Sequence, residues 1–157
     1  MKTIFPQDDK RFNKLFIFIS IGLLLLSFTQ QAYCVDGDCG DYGDGLGCFL
    51  LGGLVILYEP YGISWLLNPA LLISYFPSMK YLNIRFYLAI ASVLFGLSFL
   101  CFSEVIKNEA GHYGVITGYA LGYWLWISSA VVNLIGIGIL KYRKATTAIP
   151  ISKADEK

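Results

Sequence analysis
From Cys48 to Pro77 the chain is apolar for about thirty residues, yet it is interrupted at Glu59-Pro60 and again at Asn68-Pro69. A helix rises about 1.5 Å per residue and a bilayer core is about 30 Å thick, so about twenty residues span it and ten are left over. The surplus must bend, tilt or lie flat. The segment is therefore read as two pieces: a short apolar helix over 48–60, interfacial or re-entrant on the outer side, and a span over 61–79. Pro69 has no N–H to offer the carbonyl of Trp65, which predicts a kink there with Asn68 or Ser64 satisfying the freed group.

With 56% hydrophobic residues in 157 and a mean hydropathy of +0.60, the composition is that of a membrane protein. The formal net charge of +1 conceals a segregation along the chain that is more telling than its sum. No basic run interleaved with aromatics is present, so nucleic acid is not an expected partner.

Taken in order, 1–14 reads as a charged cytoplasmic tail and 15–34 as a first span, uncleaved because Tyr33 precedes Cys34 where a leader peptidase needs a small residue. An acidic, glycine-rich outer loop follows at 35–47. Its aspartates miss the register of a calcium loop, since Gly40 falls fifth and Asp41 sixth when counting starts at Asp36. After 48–60 and 61–79 come a cytoplasmic turn at 80–85, a third span at 86–103, an outer loop at 104–117, a fourth span at 118–140 and a cytoplasmic tail at 141–157. The expected fold is an all-α bundle of four transmembrane helices with one extra short helix on the outer side. On this topology eleven Lys and Arg lie on the cytoplasmic side and Lys107 alone lies outside, a strong positive-inside bias.

Helical spacing places Ala89, Ser92 and Gly96 on one stripe of the third span and Gly118, Gly122, Leu125, Ser129, Asn133 and Gly136 on one stripe of the fourth. Small residues let helices approach closely in lipid, so these two stripes are expected to pack together, with Ser92 at the right height to meet Asn133. The opposite side, including Tyr123, Trp124, Ile127 and Ile135, is read as facing lipid or a bulky neighbour. Counting back from Lys80 puts Glu59 at the outer interface and Asn68 inside the hydrocarbon, about 18 Å up.

Glu59, Glu104, Glu109 and His112 form a candidate polar cluster on the outer side, with donor types a divalent metal accepts. None of the usual paired-ligand spacings accompanies them, and no metal or cofactor is expected. All four cysteines fall on the outer side, where an oxidising compartment permits disulfides. Spacing favours a bridge from Cys48 to Cys34 or Cys39, with Cys101 a buried thiol; the alternative is that all four are unpaired.

The segments Trp65 to Pro69 (WLLNP), Asn108 to Gly111 (NEAG) and Gly118 to Trp126 (GYALGYWLW) resemble features of a group of small bacterial inner-membrane proteins with four spans. The resemblance implies the topology and a bacterial origin, and it carries over no catalytic residues. The resulting expectation is a non-enzymatic accessory or interaction partner of another envelope component, in contact with lipid and with another membrane protein or itself. The alternative is a small transporter or channel subunit, in which Asn68 and Asn133 line a path through a homo-oligomer.

Overall fold
The computed structural model describes residues 7–40, 43–76, 81–107 and 111–147. Helix α1 (Gln7–Ser27) opens with Asp8 and Asp9 in its first turn, where carboxylates meet the positive end of the helix dipole. Strand β1 (Tyr33–Val35) follows. Helix α2 (Gly45–Val55) is capped by Asp44, whose carboxylate accepts from the Gly47 N–H at 2.8 Å, satisfying one donor of the first turn. A 3-10 segment, Pro60–Leu66, passes directly into α3 (Leu67–Ser74). Helix α4 (Leu82–Ser98) is extended by a 3-10 turn, Phe99–Cys101. Strands β2 (Glu104–Ile106) and β3 (Tyr113–Tyr119) precede α5 (Leu121–Thr147).

Helices α1, α4 and α5 and the 3-10–α3 unit run up and down between two ends. At one end sits a three-stranded antiparallel sheet in the order β1-β3-β2. The architecture is therefore mostly helical but not all-α. Residues 33–35 belong to a strand rather than to the close of a first span, and the loop expected at 104–117 supplies the other two strands. Gly118, assigned to the fourth span, is in β3 and pairs with Cys34. The strands form because Val105-Ile106 and Val115-Ile116-Thr117 are β-branched residues that fit a half-buried pleated surface.

Val35 and Asp38 exchange backbone hydrogen bonds at 2.8 and 2.9 Å, closing a two-residue turn. Its centre, Asp36 and Gly37, has φ of 52° and 84°, the left-handed pair that an Asp-Gly turn accommodates. This turn brings Cys34 and Cys39 together, and they form the disulfide. Cys48 is a free thiol, and so is Cys101, which is exposed rather than buried. The bridge expected from Cys48 to Cys34 or Cys39 is thus replaced by one inside the turn. Closing so short a loop contributes about 2 kcal/mol by chain entropy. Alkylation of the denatured protein is expected to label two thiols without reductant and four after reduction; four labelled at the outset would contradict the bridge.

The sharpest bend lies between α2 and the 3-10 segment, which meet at 116°. Both flanks of α2 are tied to the sheet end. Gly45 N–H donates to the Gln30 carbonyl at 3.2 Å, and Glu59, just after α2, accepts from the Tyr113 hydroxyl of β3 at 2.6 Å. The kink expected at Pro69 is instead a change of helix type at Leu66/Leu67. Pro69 then falls in the first turn of α3, where a missing N–H costs little. Helix α3 ends at Ser74, short of the expected limit of 79; residues 77–80 lie outside the described residues.

The core is layered along the bundle. At the sheet end Val35, Phe99, Val105, Tyr123 and Ile127 pack together. Leu24, Leu67, Leu71 and Ala130 fill the middle, and Leu82, Ala89, Ile137 and Leu140 the far end. Tyr123 and Ile127, read as facing outward, are interior; only Trp124 and Ile135 of that set are exposed. By length and composition two helices can cross a membrane, 82–101 and 121–146, and a third crossing results if the bent pair α2 and 3-10–α3 is one span. Helix α1 is apolar only from Leu15 onward, because charged residues occupy its first turns.

Candidate functional site
Two features stand out inside the bundle: a seam of buried polar side chains and a cavity at the sheet end. The seam begins where Ser20 of α1 donates to the Ser129 carbonyl at 2.6 Å. Its proton being thus committed, Ser20 accepts from the Tyr75 hydroxyl, also at 2.6 Å. Asn133 Nδ2 donates to Ser74 Oγ at 2.6 Å, so its partner lies on α3 rather than being Ser92, which bonds its own helix at the Ala89 carbonyl. The Ser74 carbonyl in turn accepts from Arg85 Nε at 2.8 Å, and Arg85 Nη2 donates to Asn13 Oδ1 at 2.9 Å. Arg85 is only 2% exposed, and among the described residues its Nη1 has no hydrogen-bond partner.

The small-residue stripes resolve differently from their expected pairing. Ala89, Ser92, Gly96, Gly122, Ser129, Asn133 and Gly136 are all buried, but the small face of α5 turns chiefly towards α1. A Cβ on Gly136 would fall 2.6 Å from Phe16 Cβ, and one on Gly122 would fall 2.6 Å from the Gln31 carbonyl oxygen. Gly96 of α4 lies against Leu67 and Ile127. Stripe spacing identified which positions are interior without identifying the neighbour, because α1 carries no glycine motif of its own to signal the match.

Among the described residues the outer polar cluster does not come together. Glu59 bonds Tyr113, Glu104 is exposed in β2 opposite Val115, His112 is exposed, and Glu109 lies outside the described residues. Among the described residues no three His, Cys, Asp or Glu side chains are placed to hold a metal. The Glu59 carboxylate raises the Tyr113 hydroxyl above its ordinary pKa by accepting its hydrogen bond.

A carboxylate that reading by spacing passed over, Asp36, organises the sheet instead. It accepts from the Val115 N–H at 2.9 Å and from Lys107 Nζ at 3.0 Å, and these two donors, the backbone one first, hold its carboxyl below the ordinary aspartate range. A depressed folded-state pKa contributes stability that is present above the unfolded carboxylate value and lost as pH falls through the folded one. The Val115 amide resonance is expected to titrate with a midpoint below that of an unperturbed aspartate; a midpoint at or above the ordinary value would show the two bonds to be absent.

The cavity, of about 400 Å³, lies between α2, the 3-10 segment and the sheet ends of α1 and α5. Trp65 forms one wall, held by an Nε1–H bond of 2.7 Å to the Phe49 carbonyl and laid on Gly52 and Gly53: a Cβ on Gly52 would collide with its ring at 2.6 Å, and one on Gly53 would press on it at 3.2 Å. At the inner end Asn68, 2% exposed, accepts from Trp126 Nε1 at 2.8 Å. Tyr33 and Cys48 lie side by side at the sheet end, in hydrogen-bonding contact. Comparison with known protein families, curated proteins and solved structures finds no match to this chain.

Proposed function
We propose that the chain is a four-span protein of a bacterial inner membrane, with α1, the broken α2–α3 unit, α4 and α5 as its spans and α2 lying along the outer interface. The observation that carries the membrane reading is an inverted polarity. Ser20, Ser92, Ser129, Asn133 and Arg85 are interior, whereas Phe18, Leu25, Leu26, Ile73, Leu94 and Ile135 are exposed. Lipid favours that distribution and water opposes it. It also supports α1 as a crossing, since its apolar half exposes Phe18, Ile19, Leu25 and Leu26.

The role we assign is non-enzymatic: an accessory protein presenting the disulfide-clipped sheet to another envelope component. The seam supports this over a channel, because Asn133 is engaged with Ser74 rather than free to line a path. Purification of the full chain in mild detergent, followed by mass measurement of the intact assembly, tests the role. A stoichiometric complex with a second membrane protein is the expected result. A homo-oligomer that conducts ions after reconstitution would overturn it.

A further inference from the structure
We infer that the cavity at the sheet end binds a neutral, flat, lipophilic ring carrying a carbonyl oxygen, the chemistry of a quinone. The volume of about 400 Å³ is within the range of small-molecule sites. Three properties of its wall select the occupant.

First is charge. Asp44 is the only carboxylate on the lining, no Lys, Arg or His is there, and the Asp44 carboxylate is occupied in capping α2. A phosphate headgroup would find no cation, so the occupant is neutral. Second is shape. Aromatic rings from five elements face the space, among them Phe28, Phe49, Trp65, Phe99, Tyr123 and Trp126. Flat walls of this kind favour stacked or edge-on contact with another ring, worth about 0.5–1.5 kcal/mol per pair beyond burial.

Third is a single directed donor at the inner end. The indole N–H of Trp126 can only donate, so the Asn68 atom facing it is the amide oxygen and the remaining Nδ2 is identified without ambiguity. That NH₂ makes no hydrogen bond within the described residues, although Asn68 is 2% exposed and lines the cavity. A carbonyl oxygen is the acceptor that would complete it. The inference stands on the cavity alone and does not depend on the accessory role.

The chain reports occupancy itself. Of its three tryptophans, Trp65 and Trp126 line the cavity and Trp124 does not, so Trp124→Phe removes the bystander emission. Titrating this variant of the full chain in detergent with 2-methyl-1,4-naphthoquinone is expected to quench tryptophan emission saturably. Asn68→Leu should weaken binding about tenfold, the loss of one hydrogen bond. Val55→Phe, which adds bulk to another part of the cavity wall, should abolish the saturable component while leaving thermal unfolding unchanged, and it decides the matter if Asn68→Leu does not fold. Linear quenching that is the same in all variants would mean partition into the micelle and overturn the site. So would saturable quenching by a brominated phosphatidylcholine that the naphthoquinone fails to displace.

Discussion

Replacing Gly122 by alanine is expected to destabilise the fold by about 3 kcal/mol, at the upper end of what overpacking a closed site costs. The added Cβ would fall 2.6 Å from the Gln31 carbonyl oxygen and 2.8 Å from that of Gln30. Both are backbone atoms of the connection between α1 and β1, and they cannot rotate away as a side chain can. Gly122 N–H also donates to the Gln31 carbonyl at 2.8 Å, so displacing the connection breaks a bond at the first turn of α5. Gly118→Ala is the control: a Cβ there meets nothing within 4 Å, and its cost should be within about 0.5 kcal/mol. Thermal unfolding in detergent compares the two. Equal effects would mean that α5 does not enter the bundle at the Gln30-Gln31 turn.

Asn13→Leu is expected to cost about 2–3 kcal/mol, because it leaves a buried cation with one hydrogen-bond acceptor fewer. Arg85 has two polar partners among the described residues, the Ser74 carbonyl and Asn13 Oδ1, and neither is charged. The penalty of Asn13→Leu is therefore mainly desolvated charge rather than lost attraction. Substituting the arginine as well should recover part of the loss, so the pair Asn13→Leu and Arg85→Met is expected to be more stable than Asn13→Leu alone. A double-mutant cycle on the unfolding midpoints measures this. Strictly additive losses would mean that Arg85 is hydrated or paired elsewhere.

What was legible in the sequence follows from which signals are local. The interruption at Glu59-Pro60 marks a real break, because a proline at the start of a new helical segment and a polar residue before it act through their own backbone. The interior positions of α4 and α5 were legible from small-residue spacing for the same reason. Partners were not, since Asn133 bonds Ser74 across 59 residues and Ser20 bonds Ser129 across 109, and no periodicity encodes such pairings. Tyr123 shows how size misleads: its ring was assigned outward as bulky, but it is buried and its hydroxyl reaches the Gly96 carbonyl at 3.1 Å, where the absence of a side chain on α4 makes room.

The sheet leaves a weaker trace in the sequence than the spans do. The β-branched runs Val105-Ile106 and Val115-Ile116-Thr117 favour strands, but each is only two or three residues long and lies in a stretch whose polar residues equally suit a connecting loop. The disulfide is not marked by spacing either. A bridge across the longer loop to Cys48 looks entropically favourable, whereas the Asp36-Gly37 turn places Cys34 and Cys39 side by side and leaves Cys48 to line the cavity.

The central claim is that the bundle crosses a membrane with its sheet outside and the ends of α1 and α5 that lie away from the sheet inside. Single-cysteine variants of the full chain, with the four native cysteines replaced by serine, test it through labelling of intact and permeabilised cells by a membrane-impermeant maleimide. Tyr58→Cys and His112→Cys, both exposed at the sheet end, should label in intact cells. Lys14→Cys and Tyr142→Cys, exposed at the far end, should label only after permeabilisation. Labelling of either far-end position in intact cells, to the extent seen at His112→Cys, would contradict the arrangement.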